Sequence, residues 1–350
     1  MPKPSNEPVG LDLAWSWNGL SAKVRSRLVS ALDRAGARKI DQTGLEDERR
    51  AAVHQALTDT QLKLIAASTK VLEERLQADP DLAQRALTAF SRAERQAENV
   101  EASLVLAIED LKNKPSAGAE PADSPDTLDP EFLNRWELYA SGATSEVVRE
   151  KWGRILSSEI REPGTFSLKT LRVIDELDHE TAILFQRFCQ SRIGQWAPEL
   201  LLDLDASELS ALEQAGLILD AEFGRAVTFS QTIDGHGAKW WALGSDTMGV
   251  AVRQDPMPST ITTGPFNLDP LRIMDEKLKM NVSVLSRVGG ALAVIIPHNE
   301  EEVFRRLAKV ISGDVAGAAV MVRRTAEGIM SDDGSENAPP MPADGIVTPG

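Results

Sequence analysis

The sequence predicts a protein that is mainly α-helical and has an α+β part near its C-terminal end. Three observations support this fold class. Residues 45–113 are rich in Ala and Leu and almost free of helix breakers. Residues 129–195 hold several short apolar helix patterns, each preceded by a capping residue, and residues after 196 alternate short apolar runs with glycine turns. At 350 residues, the chain is long enough for two or three cores.

Residues 1–113 are predicted to form a region of long helices, with Asp79-Pro80 as the break between two of them. The second helix has apolar residues at alternating spacings of three and four, which form one seam: Phe90, Ala93, Ala97, Val100, Leu104, Ala107 and Leu111. The preceding helix repeats Leu57, Leu64 and Val71 at seven-residue intervals, so we expect an antiparallel helical hairpin. An intermolecular coiled coil is the alternative, and a homo-oligomer through these helices therefore stays open.

Residues 114–128 are predicted to be a flexible linker, because Pro, Ala, Ser, Gly and acidic residues dominate this segment. Residues 129–195 are predicted to form a small central helical domain. Its four short helices have N-cap candidates at their starts, namely Asp129, Thr144 or Ser145, Ser167 and Asp178.

Residues 196–330 are predicted to form an α+β domain that begins with a winged-helix-like part. Asp205 and Glu208 form a capping-box pair for a short helix that ends at Gly216. The apolar runs that follow, residues 217–219, 226–233 and 239–243, predict a β-ribbon. A helix followed by a β-ribbon is typical of a winged helix.

The rest of this domain is predicted to be a further α+β segment. Strands are expected over residues 282–285, 292–296 and 319–323, with a helix between the last two that begins at the capping pair Asn299 and Glu302. Residues 331–350 contain four prolines and four acidic residues, so we expect a disordered tail.

Composition restricts the class of protein. Cys189 is the only cysteine, which excludes an intramolecular disulfide and fits a reducing compartment, so a cytoplasmic location is expected. The first 17 residues lack the pattern of a secretory signal, and the longest apolar runs are too short to span a membrane. A net charge of −15 disfavours nucleic acid as a partner.

Motifs that carry chemistry are not recognisable in the sequence, so we predict no catalytic residue, no cofactor and no metal site. The four histidines and Cys189 are scattered, and glycine loops for phosphate are missing. Cys189 lies at helical spacing from Phe185 and is predicted to be a core residue. Acidic pairs at 73–74, 300–302 and 332–333 leave a divergent nuclease open as an alternative.

Four residues of the winged-helix-like part are weak candidates for binding, namely Arg225, His236, Lys239 and Trp240. The residues from Ser207 to Arg253 carry three basic and six acidic side chains, a balance of 3 − 6 = −3, which is a poor footprint for DNA. His236 lies between two glycines of a turn, and Trp240-Trp241 is predicted to place one ring in the core.

The segment from Trp152 to Leu171 resembles a motif of an uncharacterised bacterial family known only as a domain of unknown function. That motif has the form W-[AG]-x-[IL]-L-x-x-E-[IV]-x-x-P-G-[ST]-[FY]-S-x-[KR]-T-L. The segments 92–113 and 284–292 also resemble this family, which implies a match over about residues 90–310. The motif positions are interpreted mainly as scaffold, with Glu159 and Arg161 beside the turn as a candidate binding edge. The motif positions are Trp152, Leu156, Glu159, Pro163, Gly164, Ser167 and Leu171.

The helix pattern W-x-x-[IL]-L-x-x-x-[IV], here Trp152 to Ile160, and the Leu-rich helix after it show a looser similarity to alpha-type phage abortive-infection proteins. The leading functional hypothesis is therefore a bacterial cytoplasmic interaction or sensor protein with a role in phage defence, bound to a protein partner. A regulator that binds nucleic acid through the winged-helix-like part is the main alternative, and a divergent enzyme such as a nuclease is the third.

Overall fold

The computed structural model describes residues 21–34, 78–113, 123–219, 225–244, 247–263, 269–325 and 328–331. Residues 33–34, 263, 324–325 and 328–331 are described by their backbone alone. Contacts between Cα atoms divide the chain into two compact units, residues 1–168 (unit 1) and 169–350 (unit 2). None of the helices within the described ranges combines the length and the apolar character needed to cross a membrane.

Unit 1 is helical among its described residues. Its helices are α1 (Ala22–Arg34), α2 (Pro80–Asn113), α3 (Pro130–Ala140) and α4 (Glu146–Arg161). The predicted starts are confirmed, since α2 begins at Pro80, Asp129 caps α3 and Ser145 caps α4. The Asp129 carboxylate accepts a hydrogen bond from the backbone N–H of Glu131, which satisfies a donor that the first turn would otherwise leave unpaired.

The core of unit 1 forms where the C-terminal half of α2 packs against α4. The predicted seam is buried in this half, at Val100, Leu104, Ala107 and Leu111. Gly153 allows the close approach of the helices, because a Cβ at this position would lie 3.0 Å from both the Ala107 nitrogen and the Ser103 oxygen. The helix predicted to precede α2, with Leu57, Leu64 and Val71, lies outside the described residues.

Part of the predicted flexible linker is held in place. Leu128 is buried, and the buried Arg27 of α1 donates hydrogen bonds to the Pro125 carbonyl at 2.8 Å and to the Ser124 hydroxyl at 2.7 Å. Arg27 also donates to the Ile160 carbonyl in the last turn of α4. Residues 123–128 are therefore a correction to the linker prediction, because a partner about 100 residues away cannot be inferred from local composition.

The predicted central domain, residues 129–195, contains the division between the units, and its first two helices, α3 and α4, share unit 1 with α2. Burial of the α2 seam against α4 decides this arrangement, since each helix has one apolar face that needs a partner.

Unit 2 contains helices α5 (Leu168–Glu176), α6 (His179–Cys189), α7 (Ala206–Gln214), α8 (Arg287–Ala293) and α9 (Glu300–Ser312). The predicted caps of α6, α7 and α9 are confirmed at Asp178, Asp205 and Asn299, and the capping box between Asp205 and Glu208 is complete. Gly216 ends the turn after α7 with a φ of +73°, a backbone conformation that favours glycine.

Two sheets complete unit 2. Sheet A consists of β1 (Trp196–Pro198), β2 (Ile218–Leu219), β3 (Arg225–Thr228), β7 (Thr262–Thr263), β8 (Leu271–Met274) and β9 (Lys277–Leu285). Sheet B consists of β4 (Ser230–Ile233), β5 (Lys239–Gly244), β6 (Met248–Arg253), β10 (Ala319–Thr325) and β11 (Gly328–Ser331) in the order β11-β10-β6-β5-β4. Both sheets and α9 enclose one apolar core, which includes Val227, Trp241, Val250, Leu278, Met280, Phe304 and Leu307.

The predicted winged-helix ribbon is only partly present. β4 and β5 form the expected hairpin around the turn at residues 235–237. In contrast, β2 and β3 pair with β9, more than 50 residues further along the chain, and the predicted strand over 226–233 divides at Phe229 between the two sheets. Local alternation of apolar residues predicts strands but not their partners, so the ribbon was wrong for β2 and β3.

The strand predicted over residues 292–296 is also wrong. Residues 287–293 form α8, capped by Ser286, and a turn follows. A short apolar run suits either a strand or a buried helix, and the buried faces of this segment favour the helix. Strands β1, β6, β7, β8 and β11 were not predicted, whereas those at 282–285 and 319–323 are confirmed within β9 and β10. Ser331 is the last residue of β11, so the predicted tail begins within a strand, and residues 332–350 lie outside the described residues.

Candidate functional site

The motif segment from Trp152 to Leu171 forms α4, a turn and the start of α5. Trp152 and Leu156 are buried, as predicted, and the Trp152 ring stacks on Tyr139 with 5.4 Å between the ring centroids. Leu171 is buried within α5, and Ser167 directly precedes that helix. These positions have the packing role expected of scaffold.

Glu159 holds the turn that follows α4. Its side chain is 3% exposed, and its two carboxylate oxygens accept hydrogen bonds from the backbone N–H groups of Gly164 at 2.6 Å and Phe166 at 2.9 Å. Burial raises the pKa of this carboxyl group, and the nearby charge of Asp129 acts in the same direction, while the two backbone donors oppose it. A buried carboxylate with both oxygens engaged by the backbone is a positioning group, so the predicted alternative of a binding edge is not favoured.

The same turn depends on Pro163 and Gly164. Gly164 has a φ of +91°, which confirms the sharp reversal expected of the Pro-Gly pair. Beside it, Arg161 forms an ion pair with Asp110 of α2 at 2.8 Å, and the Ser157 hydroxyl donates to the same carboxylate at 2.6 Å. This network fixes the end of α4 onto α2.

The weak binding candidates of the winged-helix-like part are divided between the two sheets and a turn. Arg225 lies on β3 in sheet A, whereas Lys239 and Trp240 lie on β5 in sheet B. Trp240 is 3% exposed, with the Arg253 guanidinium 4.9 Å from its ring centroid, so its face is not open to a base or ligand. Trp241 lies in the core, as expected of one member of the pair.

His236 is exposed at the tip of the β4–β5 hairpin, where Asp234 organises the turn. The Asp234 carboxylate accepts hydrogen bonds from the Trp240 indole N–H and from the backbone N–H groups of His236 and Ala238. These donors, the indole first, lower the pKa of Asp234. The hairpin is therefore a well-bonded structural turn in which His236 contributes its backbone.

The titratable residues singled out in the sequence are dispersed in the structure. Cys189 is buried in α6, and this burial raises the pKa of its thiol to about 12. Within the described ranges, no three His, Cys, Asp or Glu side chains are grouped in a way that could hold a metal ion. In the acidic run at 300–302, Glu300 accepts a hydrogen bond from the backbone N–H of Gly194, and Glu301 and Glu302 form ion pairs with Arg305. The acidic pairs at 73–74 and 332–333 lie outside the described residues.

The segment Val284–Leu292 makes a close junction in unit 2. Ser286 caps α8, and its hydroxyl donates to the Gly216 carbonyl at 2.5 Å, while its backbone N–H donates to the Leu217 carbonyl. A Cβ on Gly289 would collide with the Leu217 carbonyl oxygen, so only glycine lets α8 approach this closely. The serine and glycine of this segment therefore serve packing.

Exposed apolar side chains of unit 1 lie on the N-terminal half of α2 and, singly, at Leu138, Val147 and Leu168. Leu87, Phe90, Ala93 and Ala97 are all exposed and fall within one face of the helix, which we call the α2 stripe. Leu87 is 68% exposed and Phe90 is 64% exposed, although the same helix is buried on this side from Val100 onward. The sequence predicted the seam but not the point at which its burial ends, because burial depends on where α4 lies along α2.

Structure and site together define a two-unit protein whose helical unit presents an apolar helix face. Residues 84–209, from α2 to α7, match the model of the family described as "Protein of unknown function (DUF2806)". This match confirms the predicted resemblance to a family known only as a domain of unknown function, and it contains the motif segment but not residues 284–292. No curated protein and no solved structure matches the chain.

Proposed function

We propose that this protein is a cytoplasmic interaction protein that binds an apolar helix of another polypeptide on the α2 stripe. The observation that carries this proposal is the exposure of Leu87 and Phe90 on a helix whose other half is packed in the core of unit 1. Large apolar side chains adjacent on one helix face are the usual anchors of helix recognition.

Burial of the α2 stripe would contribute to the free energy of binding a partner. Full burial of a Leu or Phe side chain contributes about 1.5–3 kcal/mol, so covering the exposed two thirds of both would supply roughly 2–4 kcal/mol. The stripe is also preorganised, because the C-terminal half of α2 is fixed against α4 by apolar packing and by the pair of Arg161 with Asp110. A partner therefore does not have to order this helix on binding.

A photo-crosslinking amino acid in place of Phe90 tests the proposal in the native host. We expect a crosslinked product heavier than the chain, with the attachment site on a second polypeptide. The same amino acid in place of Leu138, which is 58% exposed on α3, is the matched control and should give no such product. Crosslinks confined to residues of the same chain would contradict the proposal.

The phage-defence setting rests on the similarity of the α4 helix to abortive-infection proteins. In a native host that lacks the gene, phage should plaque more efficiently, and the Phe90→Asp variant should fail to restore resistance. Equal plaquing with and without the gene would remove this setting while leaving the interaction proposal intact.

A further inference from the structure

We infer that the polypeptide bound on the α2 stripe is the α2 helix of a second copy of this chain, packed antiparallel across a two-fold axis. This inference rests on the proposed function and names the partner of the same surface. The result would be a symmetric dimer in which each copy supplies the same residues to the interface.

The size pattern of the stripe is self-complementary. Its two large side chains, Leu87 and Phe90, come first, and its two small ones, Ala93 and Ala97, come last. A two-fold axis at the level between Ser91 and Arg92 places Phe90 of each copy against Ala93 of the other. At this level a large side chain then fills the space over a small one, as in well-packed helix interfaces, while Leu87 lies opposite Gln96.

Parallel pairing would lack this fit. It would place Phe90 against Phe90 and Ala93 against Ala93, which crowds one level of the interface and leaves a gap at the next. The antiparallel arrangement also brings Ala86 of one copy opposite Ala97 of the other, so the two backbones can approach closely along this part of α2.

Charge permits the approach of a second copy at this segment. The chain as a whole has a net charge of −15, so two copies repel each other at long range. Residues 80–98 carry three arginines and three acidic residues, a balance of 3 − 3 = 0. This neutral segment therefore adds no net repulsion of its own between the copies.

The competing occupant is the predicted helix with Leu57, Leu64 and Val71 of the same chain. The seven-residue spacing of this helix also suits α2. However, its apolar residues are all large, so pairing with it does not explain why a large residue, Phe90, is followed by a small one, Ala93. Dimer formation and intramolecular pairing give different masses, which makes the choice measurable.

Sedimentation equilibrium of the full chain tests the inference. We expect a mass of twice 38.0 kDa at concentrations of about 100 μM, and a dimer dissociation constant raised at least about tenfold by Ala93→Phe, which would force Phe90 against a second large ring. The double variant Phe90→Ala/Ala93→Phe exchanges the two sizes and should restore the wild-type affinity to within about threefold.

Control measurements keep the outcomes distinct. Leu138→Ala, on the exposed face of α3, should leave the dimer unchanged, and circular dichroism should show every variant folded, since positions 90, 93 and 138 are exposed. A mass of 38.0 kDa throughout, or an exchange variant that stays monomeric, overturns the inference. Crosslinking from position 90 to another protein would then preserve the proposed function, whereas crosslinks within one chain would remove both.

Discussion

The Glu159 carboxylate shows how one side chain organises the end of a helix. It reaches past the last turn of α4 and accepts hydrogen bonds from the backbone N–H groups of Gly164 and Phe166. The turn itself leaves these donors unpaired. The group is almost fully buried, so ionisation is costly and the pKa is raised. Its place in the motif segment therefore follows from the geometry of the turn.

The pH dependence of stability should report on this carboxyl group. Because its pKa is higher in the folded chain, the folded state binds more protons, and the free energy of unfolding should fall as pH rises from about 4.5 through the folded pKa. Glu159→Gln should remove this component of the slope while losing about 1–3 kcal/mol at all pH values, since one backbone donor faces the amide NH2.

Urea unfolding followed by circular dichroism between pH 4 and 8 measures this effect. Glu162→Gln, a change of an exposed glutamate in the same turn, is the matched control and should keep the wild-type slope. A Glu159→Gln slope equal to that of the wild type would show that the carboxyl group does not titrate differently in the folded chain.

At the scale of elements, the junction of α8 with the turn after α7 depends on two adjacent glycines that differ in their surroundings. Gly289 faces the fixed Leu217 backbone, whereas a Cβ on Gly290 would lie 2.5 Å from the side-chain oxygen of Gln195. Gln195 is exposed and can move. The two positions are therefore expected to respond differently to the same substitution.

Gly289→Ala should lower the free energy of unfolding by about 3 kcal/mol or more, because the backbone at Leu217 must shift. Gly290→Ala should change it by no more than about 1 kcal/mol, since alanine favours the helix and Gln195 can move aside. Thermal unfolding of both variants measures the difference. Equal effects would indicate that α8 does not approach Leu217 as closely as the structure shows.

The helices also show how far local pattern extends. The start of α2 at Pro80 and the caps at Asp129, Asp178 and Asp205 follow from short-range chemistry and were predicted. The sequence did not predict that the buried part of α2 begins at Asn99, because this limit depends on the position of α4 against α2. The exposure of the α2 stripe therefore follows from how α4 packs on α2.

At the scale of the whole molecule, the net charge of −15 bears on the nucleic-acid alternative. We expect double-stranded DNA to bind with a dissociation constant no tighter than about 100 μM at physiological salt, which is the range of non-specific contacts. Fluorescence anisotropy over a range of salt concentrations measures this. A salt-dependent affinity in the nanomolar range, lost in Arg225→Ala/Lys239→Ala but kept in Arg172→Ala, would instead support a nucleic-acid-binding regulator.

The sequence by itself determined the fold class, the caps, the hairpin of β4 with β5, the core positions of Trp152, Leu156 and Cys189, and the resemblance to a family of unknown function. These features depend on residues near one another in the chain or on hydrophobic periodicity. Tertiary structure decided the pairing of β2 and β3 with β9, the attachment of residues 123–128 to Arg27, and the exposure of the α2 stripe. Each of these depends on contacts between distant segments, which local pattern does not encode.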